Sequence, residues 1–454
     1  MPFKEDFAWG VATASYQIEG APYKVGGGHS VWDMFCQREG KIHDASNGDI
    51  ACDHFNRYKE DIALMKELGV PNYRMSISWP RVMPTGTGLV SESGLDFYDK
   101  LIDELLANGV NPHVTLYHWD TPWDVYLRGG WLNRDISDWF ADYTEVVVKK
   151  LGDRVSSWMT LNEPQCFIGL GMEIGNHAPG DKLGKQEILW AAHNALLAHG
   201  KSVQAIRANA TNNPKVGWAP VGSCSVPATE SKEDIEAARI ATFEMTTVDT
   251  WSTSLWSDPV FFGTYPKVVE EFWEKCYQKP KAGDMDIISQ PLDFYGANIY
   301  NAPTVKMGAD GKPEKVEYPL GGGRTVYHWP VIPSSLYWGP KFFYERYGKP
   351  IVITENGLGL SDWVHVDGKV HDPQRIDFLT RYLTELERAS DDGVAIDGYF
   401  QWSFMDNFEW NEGYRFRFGL VHVDYQTQER VPKDSAYWYR DVINSNGKNM
   451  TNVI

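Results

Sequence analysis

Eight runs rich in β-branched and aromatic residues alternate along the chain with segments of helical periodicity, and this alternation limits the possible folds more than any other feature. The runs are FAWGVATASYQIEG, NYRMSISW, NPHVTLYHWD, SSWMTLNEP, KVGWAPV, DFYGANIY, PIVITENG and DGYFQWSF. Strands that alternate with helices form parallel sheets, and eight such units without a linker favour a closed barrel over an open doubly wound sheet. We therefore predict one α/β domain over residues 1–454, a single (β/α)8 TIM barrel with long βα loops.

The segment that follows the first run illustrates the helical pattern. Phe55, Tyr58, Ile62 and Met65 recur at the spacing of one helix face, and Gly69 follows as a helix stop. The Gly- and Pro-rich pieces KVGGGHS, MGADGKPE and YPLGGGR are expected as loops between strands and helices. In a barrel of this kind, such loops build the active face.

The charge balance argues against several classes of partner. The chain has 43 Lys and Arg residues against 61 Asp and Glu residues, which gives a formal net charge of -18. A strongly acidic chain is repelled by nucleic acid and by anionic membranes. We therefore expect a small-molecule substrate, with no nucleic-acid partner and no membrane partner.

The cysteines and the amino-terminal segment bear on the compartment. The five cysteines are scattered without CxxC or Cys/His ligand spacing and are Cys36, Cys52, Cys166, Cys224 and Cys276. Neither a disulfide framework nor a zinc site is indicated, so a reducing cytoplasm is expected. The segment MPFKEDFAWG lacks an apolar leader, and no stretch approaches the ~18 apolar residues of a membrane span. No P-loop and no GxGxxG after a strand is present, so no cofactor is expected.

Two glutamates lie at equivalent places, near the ends of two strand-like runs. Glu355 lies near the end of PIVITENG, and Glu163 lies near the end of SSWMTLNEP. A lone glutamate there would most simply cap a turn, but active sites of such barrels lie at the carboxyl ends of the strands, so the two carboxylates can face one cavity. Paired carboxylates are what cleavage of a glycosidic bond requires, one to protonate the leaving oxygen and one to attack the anomeric carbon or activate water.

Other strand ends carry groups suited to sugars. Carboxylate, amide and imidazole groups bind hydroxyls, and an indole packs on the C–H face of a pyranose. The residues are Gln17, Glu19, Arg74, His118, Trp119, Asn162, Asn298, Tyr300, Trp402, Glu409 and Trp410. His118 and Asp120 could suggest a metal, but two candidate ligands without a third are a weak signal, so no metal site is expected.

Six ordered motifs carry a resemblance to a known family. They are FAWGVATASYQIEG, YRMSISWPR, TLNEP, ITENG, NFEW and RFGLVHVDY. With them the chain resembles glycoside hydrolase family 1, the retaining β-glucosidase and β-galactosidase family, over nearly its whole length. A single pentapeptide would be weak, whereas six motifs in this order on the right strands are specific.

The resemblance implies a role for each matching residue. Glu355 would be the nucleophile and Glu163 the acid/base residue of a two-step retaining hydrolysis. Arg74 and Tyr300 would hold Glu355 in its ionised form. The groups implied to bind or orient the sugar are Gln17, His118, Trp119, Asn162, Asn298, Tyr300, Trp402, Glu409, Trp410 and Phe418, and Trp329 would be the platform on the aglycone side.

The implied activity is hydrolysis of terminal β-D-glucosyl residues of cello-oligosaccharides and of aryl or alkyl β-glucosides, with galactosyl or fucosyl residues left open. A 6-phospho-β-glucosidase, a transglycosylating β-glycosidase and a non-catalytic sugar-binding barrel stay open as alternatives. Phospho-specific members carry a small hydroxyl residue at the position of Glu409 and a Lys-x-Tyr pair where this chain has Phe416 and Phe418. Departures from residues common in the family are expected to concern the aglycone side and include Trp123, Gln165 and Met172.

Overall fold

A computed structural model describes residues 3–451 except 22, 24 and 25, and eight parallel strands form the centre of this part of the chain. The strands are β1 (Ala8–Ala12), β2 (Asn72–Ser76), β3 (Asn111–Tyr117), β4 (Ser157–Asn162), β5 (Lys215–Ala219), β6 (Tyr295–Asn298), β7 (Ile351–Asn356) and β8 (Ile396–Trp402). Neighbours in chain order pair in parallel from β1 to β5 and from β6 to β8, and β8 pairs with β1. Seven of the predicted runs contain one of these strands, and the eighth, DGYFQWSF, begins one residue after the start of β8.

Strands β5 and β6 close the barrel through separate hydrogen bonds. The N–H of Asp293 donates to the carbonyl of Val216 at 2.8 Å. Further along, the N–H of Asn298 donates to the carbonyl of Pro220 at 3.0 Å, and the carbonyl of Asn298 accepts from the N–H of Gly222 at 2.8 Å. The predicted (β/α)8 barrel is thereby confirmed, and the backbone of Asn298 lies in its seam.

Several of the long helices have one buried face and one exposed face, whereas Lys185–Asn209 is buried on all sides over residues 188–200. In Glu92–Ala107, Leu95 and Leu101 lie on the buried face, and the Ser91 hydroxyl at its start accepts from the N–H of Gly94 at 3.1 Å. The long helices are His54–Glu67, Glu92–Ala107, Ile136–Leu151, Lys185–Asn209, Lys232–Phe243, Ser335–Tyr347, Pro373–Asp391 and Asp434–Asn444. The shorter ones are Ser15–Ile18, Val31–Cys36, Trp79–Val82, Trp123–Leu127, Gly130–Leu132, Gln165–Ile174, Thr253–Phe262, Lys267–Trp273, Asp284–Ile288 and Trp410–Glu412.

The helix predicted before Gly69 is confirmed. It spans His54–Glu67, and its Ile62 and Met65 are buried. Gly69 follows with a φ of +62°, a left-handed conformation that glycine adopts without steric cost.

One of the expected loops has structure of its own. MGADGKPE forms the turn between the antiparallel strands Thr304–Met307 and Pro313–Val316, and Val226–Pro227 extends this small sheet. A second small sheet pairs Val421–Val423 with Arg430–Pro432. Of the piece KVGGGHS, residues 24 and 25 lie outside the described residues. No helix in the described part is long and apolar enough to cross a membrane.

Candidate active site

A cavity of about 640 Å³ opens at the carboxyl ends of the barrel strands. Eleven of the residues predicted for the site line its wall: His118, Trp119, Glu163, Asn298, Tyr300, Trp329, Glu355, Trp402, Glu409, Trp410 and Phe418. Gln17, Arg74 and Asn162 do not line the wall, but the last two are in hydrogen-bond contact with residues that do. The structure therefore brings together residues from strands that are far apart in sequence.

Glu355 is held at the end of β7 by two donors. The Nη1 of Arg74 donates to its Oε1 at 2.6 Å, and the Tyr300 hydroxyl donates to its Oε2 at 2.8 Å. Burial raises the pKa of Glu355, and the charge and hydrogen bond of Arg74 oppose that effect. Arg74 is itself only 1% exposed. The carboxylate is therefore fixed against a guanidinium group inside the protein.

Arg74, on β2, is fixed in turn by acceptors from three other strands. Its Nη1 also donates to the carbonyl of Thr354 at 2.9 Å, and its Nη2 donates to the Oδ1 of Asn162 at 2.6 Å. Its Nε donates to the hydroxyl of Thr115 at 3.1 Å. The Oδ1 of Asn162 also accepts from Asn298 at 3.0 Å. This network ties β2, β3, β4, β6 and β7 together beneath the cavity.

Glu163 follows β4 and has a different environment. Its N–H donates to the carbonyl of Ala219 at 2.8 Å. Its Oε1 accepts from the amide of Asn298 at 2.9 Å, and its Oε2 accepts from the thiol of Cys166 at 3.3 Å. Burial, and then the charge of Glu355, raise the pKa of Glu163 to about 8. Both effects favour the protonated form of Glu163.

Three residues of the wall have positive φ angles although they are not glycine. They are Trp119 at +78°, Glu163 at +46° and Trp410 at +52°. Such conformations cost of order 1 kcal/mol or more each and are concentrated at functional sites. The backbone is thus bent where it places the predicted acid/base residue and two indoles.

His118 lies in the wall as a neutral group. It is buried at the end of β3, and burial, followed by the charge of Arg74, lowers its pKa well below the usual range. Its ring stacks on that of Trp402, with 5.6 Å between centroids and 15° between planes. Its Nε2 lies 3.2 Å from the amide nitrogen of Asn162. An uncharged imidazole suits hydrogen bonding to a sugar hydroxyl.

Glu409 and its aromatic neighbours form another part of the wall. The hydroxyl of Tyr327 donates to the Oε1 of Glu409 at 2.9 Å, and burial raises the pKa of Glu409 to about 8. The ring of Tyr327 stacks on Trp329, with 4.6 Å between centroids and 11° between planes. Trp410 packs against Trp119 with 4.5 Å between centroids. Tyr327 has no counterpart among the sequence predictions, since it lies in a long loop without a motif.

The amide of Gln17 and the carboxylate of Glu19, which come after β1 in the sequence, differ in their surroundings. Gln17 uses its Nε2 to donate to the Oδ1 of Asn407 at 3.0 Å, whereas its buried Oε1 has no partner among the described residues. The expectation that Glu19 supplies a site group is wrong. Its carboxylate accepts from Arg81 and from Tyr98, each at 2.9 Å, and it does not line the cavity.

His118 and Asp120 are weak candidates for metal ligands in the sequence, and the part of the chain that the structure describes adds no third ligand to this pair. In the described residues, no group of three or more His, Cys, Asp and Glu side chains is arranged to hold a metal ion. Asp120 is buried behind the cavity, where its Oδ2 accepts from the hydroxyl of Ser15 at 3.2 Å, and burial raises its pKa to about 7.

The outer wall comes from a segment that no motif marked. Residues 241–252 comprise the end of the helix Lys232–Phe243 and the connection to the helix Thr253–Phe262, and they contribute Glu244, Asp249 and the partly exposed Trp251. We expected the aglycone side to be shaped by three departures from the family pattern. The departures are Trp123, Gln165 and Met172, and none of these residues lines the cavity.

The cavity is acidic. Its wall carries the carboxylates of Glu163, Glu244, Asp249, Glu355 and Glu409, and no Lys or Arg is among the described residues that line it. Two arginines follow Glu409 in the sequence, but both pair with other carboxylates. Arg415 pairs with Glu412, and Arg417 pairs with Asp406 at 2.7 Å. The cavity therefore suits a neutral or cationic ligand better than an anion.

Comparison with known proteins places the chain in a family. The sequence pattern of glycosyl hydrolase family 1 matches residues 1–448. The chain is 44% identical over 447 residues to the β-glucosidase A of Thermotoga maritima, with 98% of each chain covered. The chain belongs to glycosyl hydrolase family 1, and the resemblance seen in its motifs is confirmed.

A solved structure and a second relative add to this comparison. The structure of a β-glucosidase from Thermotoga maritima in complex with glucoimidazole is similar with a TM-score of 0.88 at 44% identity, covering 98% of this chain and 99% of that one. The aryl-phospho-β-D-glucosidase BglC of Bacillus subtilis is 38% identical over 481 residues, with 99% of this chain and 98% of that one covered. Since the name of this relative indicates a phosphorylated substrate, the residues of the cavity have to distinguish a phosphorylated sugar from an unphosphorylated one.

Proposed function

We propose that this chain is a retaining β-glucosidase in which Glu355 is the nucleophile and Glu163 is the acid/base residue. The chain is a glycoside hydrolase that releases terminal β-D-glucosyl residues through a covalent glycosyl-enzyme intermediate. The observation that carries the assignment is the unequal environment of two buried glutamates in one cavity. Glu355 touches the guanidinium of Arg74, whereas Glu163 accepts from the uncharged groups of Asn298 and Cys166.

In the first step, Glu355 attacks the anomeric carbon while Glu163 donates its proton to the glycosidic oxygen. The contact with Arg74 keeps Glu355 ionised relative to Glu163, which is held neutral by burial and by the charge of its partner. The alcohol leaves, and the sugar is bound to Glu355 as an ester. The unequal surroundings of the two glutamates, with Arg74 against Glu355 and uncharged donors against Glu163, therefore decide which one attacks and which one protonates.

In the second step, the same pair hydrolyses the ester. Once Glu355 is esterified, its negative charge is gone, so the repulsion that raised the pKa of Glu163 is removed. Glu163 is then a carboxylate that takes a proton from water, and the water oxygen attacks the anomeric carbon. Arg74 and Tyr300 remain in place to stabilise the carboxylate of Glu355 as it leaves.

The sugar that the cavity suits best is an unphosphorylated glucoside. We assign the indole of Trp402 to the pyranose face, and His118, Asn162 and Glu409 to hydroxyl groups. A phosphate on the 6-hydroxyl would lie near Glu409, and the described residues of the wall include no Lys or Arg to neutralise it. Cello-oligosaccharides and aryl or alkyl β-glucosides are the proposed substrates, and Trp329 is the proposed platform for the aglycone.

The cellular setting is part of the same proposal. All five cysteines are unpaired, which supports a reducing cytoplasm. The formal net charge of -18 supports the absence of nucleic-acid partners.

Early-time NMR of the released sugar tests the proposal. The purified enzyme and p-nitrophenyl β-glucoside are mixed, and the anomeric proton signals are followed before mutarotation is complete. Retention predicts β-glucose as the first product, because two inversions at the anomeric carbon restore its configuration. α-Glucose as the first product would mean that Glu355 activates water instead of attacking the sugar, and the proposal would be wrong.

A further inference from the structure

Cys166 makes direct contact with the proposed acid/base residue. Its Sγ lies 3.3 Å from the Oε2 of Glu163, with the thiol as donor, and the side chain lines the cavity. The opposite oxygen, Oε1, accepts from Asn298. Both oxygens of this carboxyl group are therefore held by a donor, and the thiol is one of the two.

The backbone fixes this contact. The N–H of Cys166 donates to the carbonyl of Glu163 at 2.8 Å, which closes a tight turn at the start of the helix Gln165–Ile174. Gln165 anchors the turn to the chain beyond β5, because its amide donates to the carbonyl of Val221 and accepts from the N–H of the same residue, each at 3.1 Å. The backbone of Cys166 is thus held close to Glu163, which places the thiol within reach of the carboxyl group.

We propose that Cys166 is a positioning residue for Glu163, whose thiol orients the carboxyl group for proton transfer and stabilises its ionised form between the two steps. The inference rests on the proposed function, because it assumes that Glu163 is the acid/base residue. Burial, and then the charge of Glu163, raise the pKa of the Cys166 thiol well above its usual range, so the thiol stays protonated and remains a donor.

A donor to the carboxylate form lowers the pKa of a carboxyl group. The other titratable or charged groups that face Glu163 are Glu355 from β7, Arg74 from β2 and Tyr300 from the end of β6. Since these stay unchanged when residue 166 is replaced, a shift in the pKa of Glu163 can be attributed to the thiol.

The test is the pH dependence of kcat/KM for phenyl β-glucoside, whose poor leaving group requires the acid. Cys166→Val removes the donor, so the basic limb should shift upward by about half a pH unit, and kcat should fall more than KM rises. Cys166→Ser keeps a hydroxyl donor and should return the limb to its wild-type position or below. Cys166→Ala repeats the Val experiment without a branched side chain, in case Cys166→Val folds poorly.

Two controls separate the inference from the function on which it rests. Cys224 lines the same cavity and burial alone raises its pKa, so Cys224→Val should leave the basic limb in place. Glu163→Gln should abolish the limb. If the limb survives in Glu163→Gln, the proposed function fails. If the limb disappears in Glu163→Gln, the Cys166 variants decide. The inference is overturned if Cys166→Ala and Cys166→Val both leave the limb at the wild-type position, or if Cys166→Ser shifts it as Cys166→Val does. The thiol then has only a packing role.

Discussion

The inner end of the cavity and its outer wall are built in different ways. At the inner end, Arg74 and Glu355 lie on barrel strands, and Glu163 directly follows one. Each is buried and has at least two hydrogen bonds from or to its side chain. The outer wall is largely a loop segment, in which Glu244 and Trp251 are exposed to solvent.

This difference separates two kinds of function. Groups that take part in bond breaking need fixed positions and perturbed pKa values, and strand ends in a packed barrel provide both. Loops tolerate change, so they are the part where a barrel adapts to different leaving groups. Substitutions at the inner end should therefore reduce kcat for all substrates, and substitutions in the outer wall should alter KM for some.

The largest effect is expected from Glu355→Ala. Hydrolysis should fall by several orders of magnitude without unfolding, because no other group can form the ester. Azide should restore turnover of an activated aryl glucoside and yield the α-glucosyl azide, since it occupies the space of the lost carboxylate. If a folded, uncontaminated variant has activity like that of the wild type, then Glu355 is not the nucleophile and the reaction does not take place at the inner end of the cavity.

Glu163→Gln should show a dependence on the leaving group. Phenyl β-glucoside should lose about 10²-fold or more in the rate of glycosylation, whereas 2,4-dinitrophenyl β-glucoside should lose far less, because its phenolate leaves without protonation. Pre-steady-state measurements isolate this step. Equal losses for both substrates would contradict the acid role of Glu163.

The choice between a neutral and a phosphorylated sugar should depend on Glu409. We expect p-nitrophenyl β-glucoside to be cleaved with kcat/KM at least ~100-fold above its 6-phosphate. Burial raises the pKa of Glu409 to about 8, which reduces its negative charge, and no Lys or Arg is among the described residues that line the cavity, so a 6-phosphate meets no neutralising group there.

Two substitutions check this assignment. Glu409→Ser should narrow the gap mainly by damaging the neutral substrate, because hydrogen bonds to the sugar are lost. Glu244→Ser, which removes an exposed carboxylate of the outer wall, should leave the gap unchanged. A wild-type preference for the 6-phosphate would overturn the proposed substrate while leaving both catalytic glutamates in place.

The smallest effect is expected from Trp251→Ala in the outer wall. Loss of one exposed ring face should raise KM for cellotriose by about 3-fold to 10-fold, with kcat nearly unchanged. p-Nitrophenyl β-glucoside, with its short aglycone, should be affected less. Trp363→Ala is the matched control, since Trp363 is 64% exposed and lies outside the cavity wall. If both variants behave alike, the segment 241–252 has no part in substrate selection.

The position of the inner-end residues in the fold could be predicted from the sequence because these residues are tied to strands. The order of strands follows from periodicity, and a residue such as Glu355, which ends a predicted strand, is thereby placed at one end of the barrel. Glu19 shows the limit of this reasoning. Its predicted run contains β1, but the helix Ser15–Ile18 lies between that strand and Glu19, and Arg81 and Tyr98 hold the carboxylate behind the wall. A pattern along the chain contains no information on such long-range partners.

The outer wall could not be predicted in the same way. Trp251 lies in a long connection whose path depends on packing against other loops. Gln165 illustrates the converse error, since a departure from the family pattern drew attention to a residue that is buried and bonded to the backbone of Val221. The donor role of Cys166 also required coordinates, because the three-residue spacing from Glu163 is compatible with many side-chain directions.

Trapping of the covalent intermediate tests the central claim most directly. The enzyme is inactivated with 2,4-dinitrophenyl 2-deoxy-2-fluoro-β-glucoside, digested and analysed by tandem mass spectrometry. The account predicts one fluoroglucosyl group per chain, attached to Glu355, because the fluorine slows hydrolysis of the ester more than its formation. A label on Glu163 or on any other residue, with Glu355 unmodified, would contradict the account.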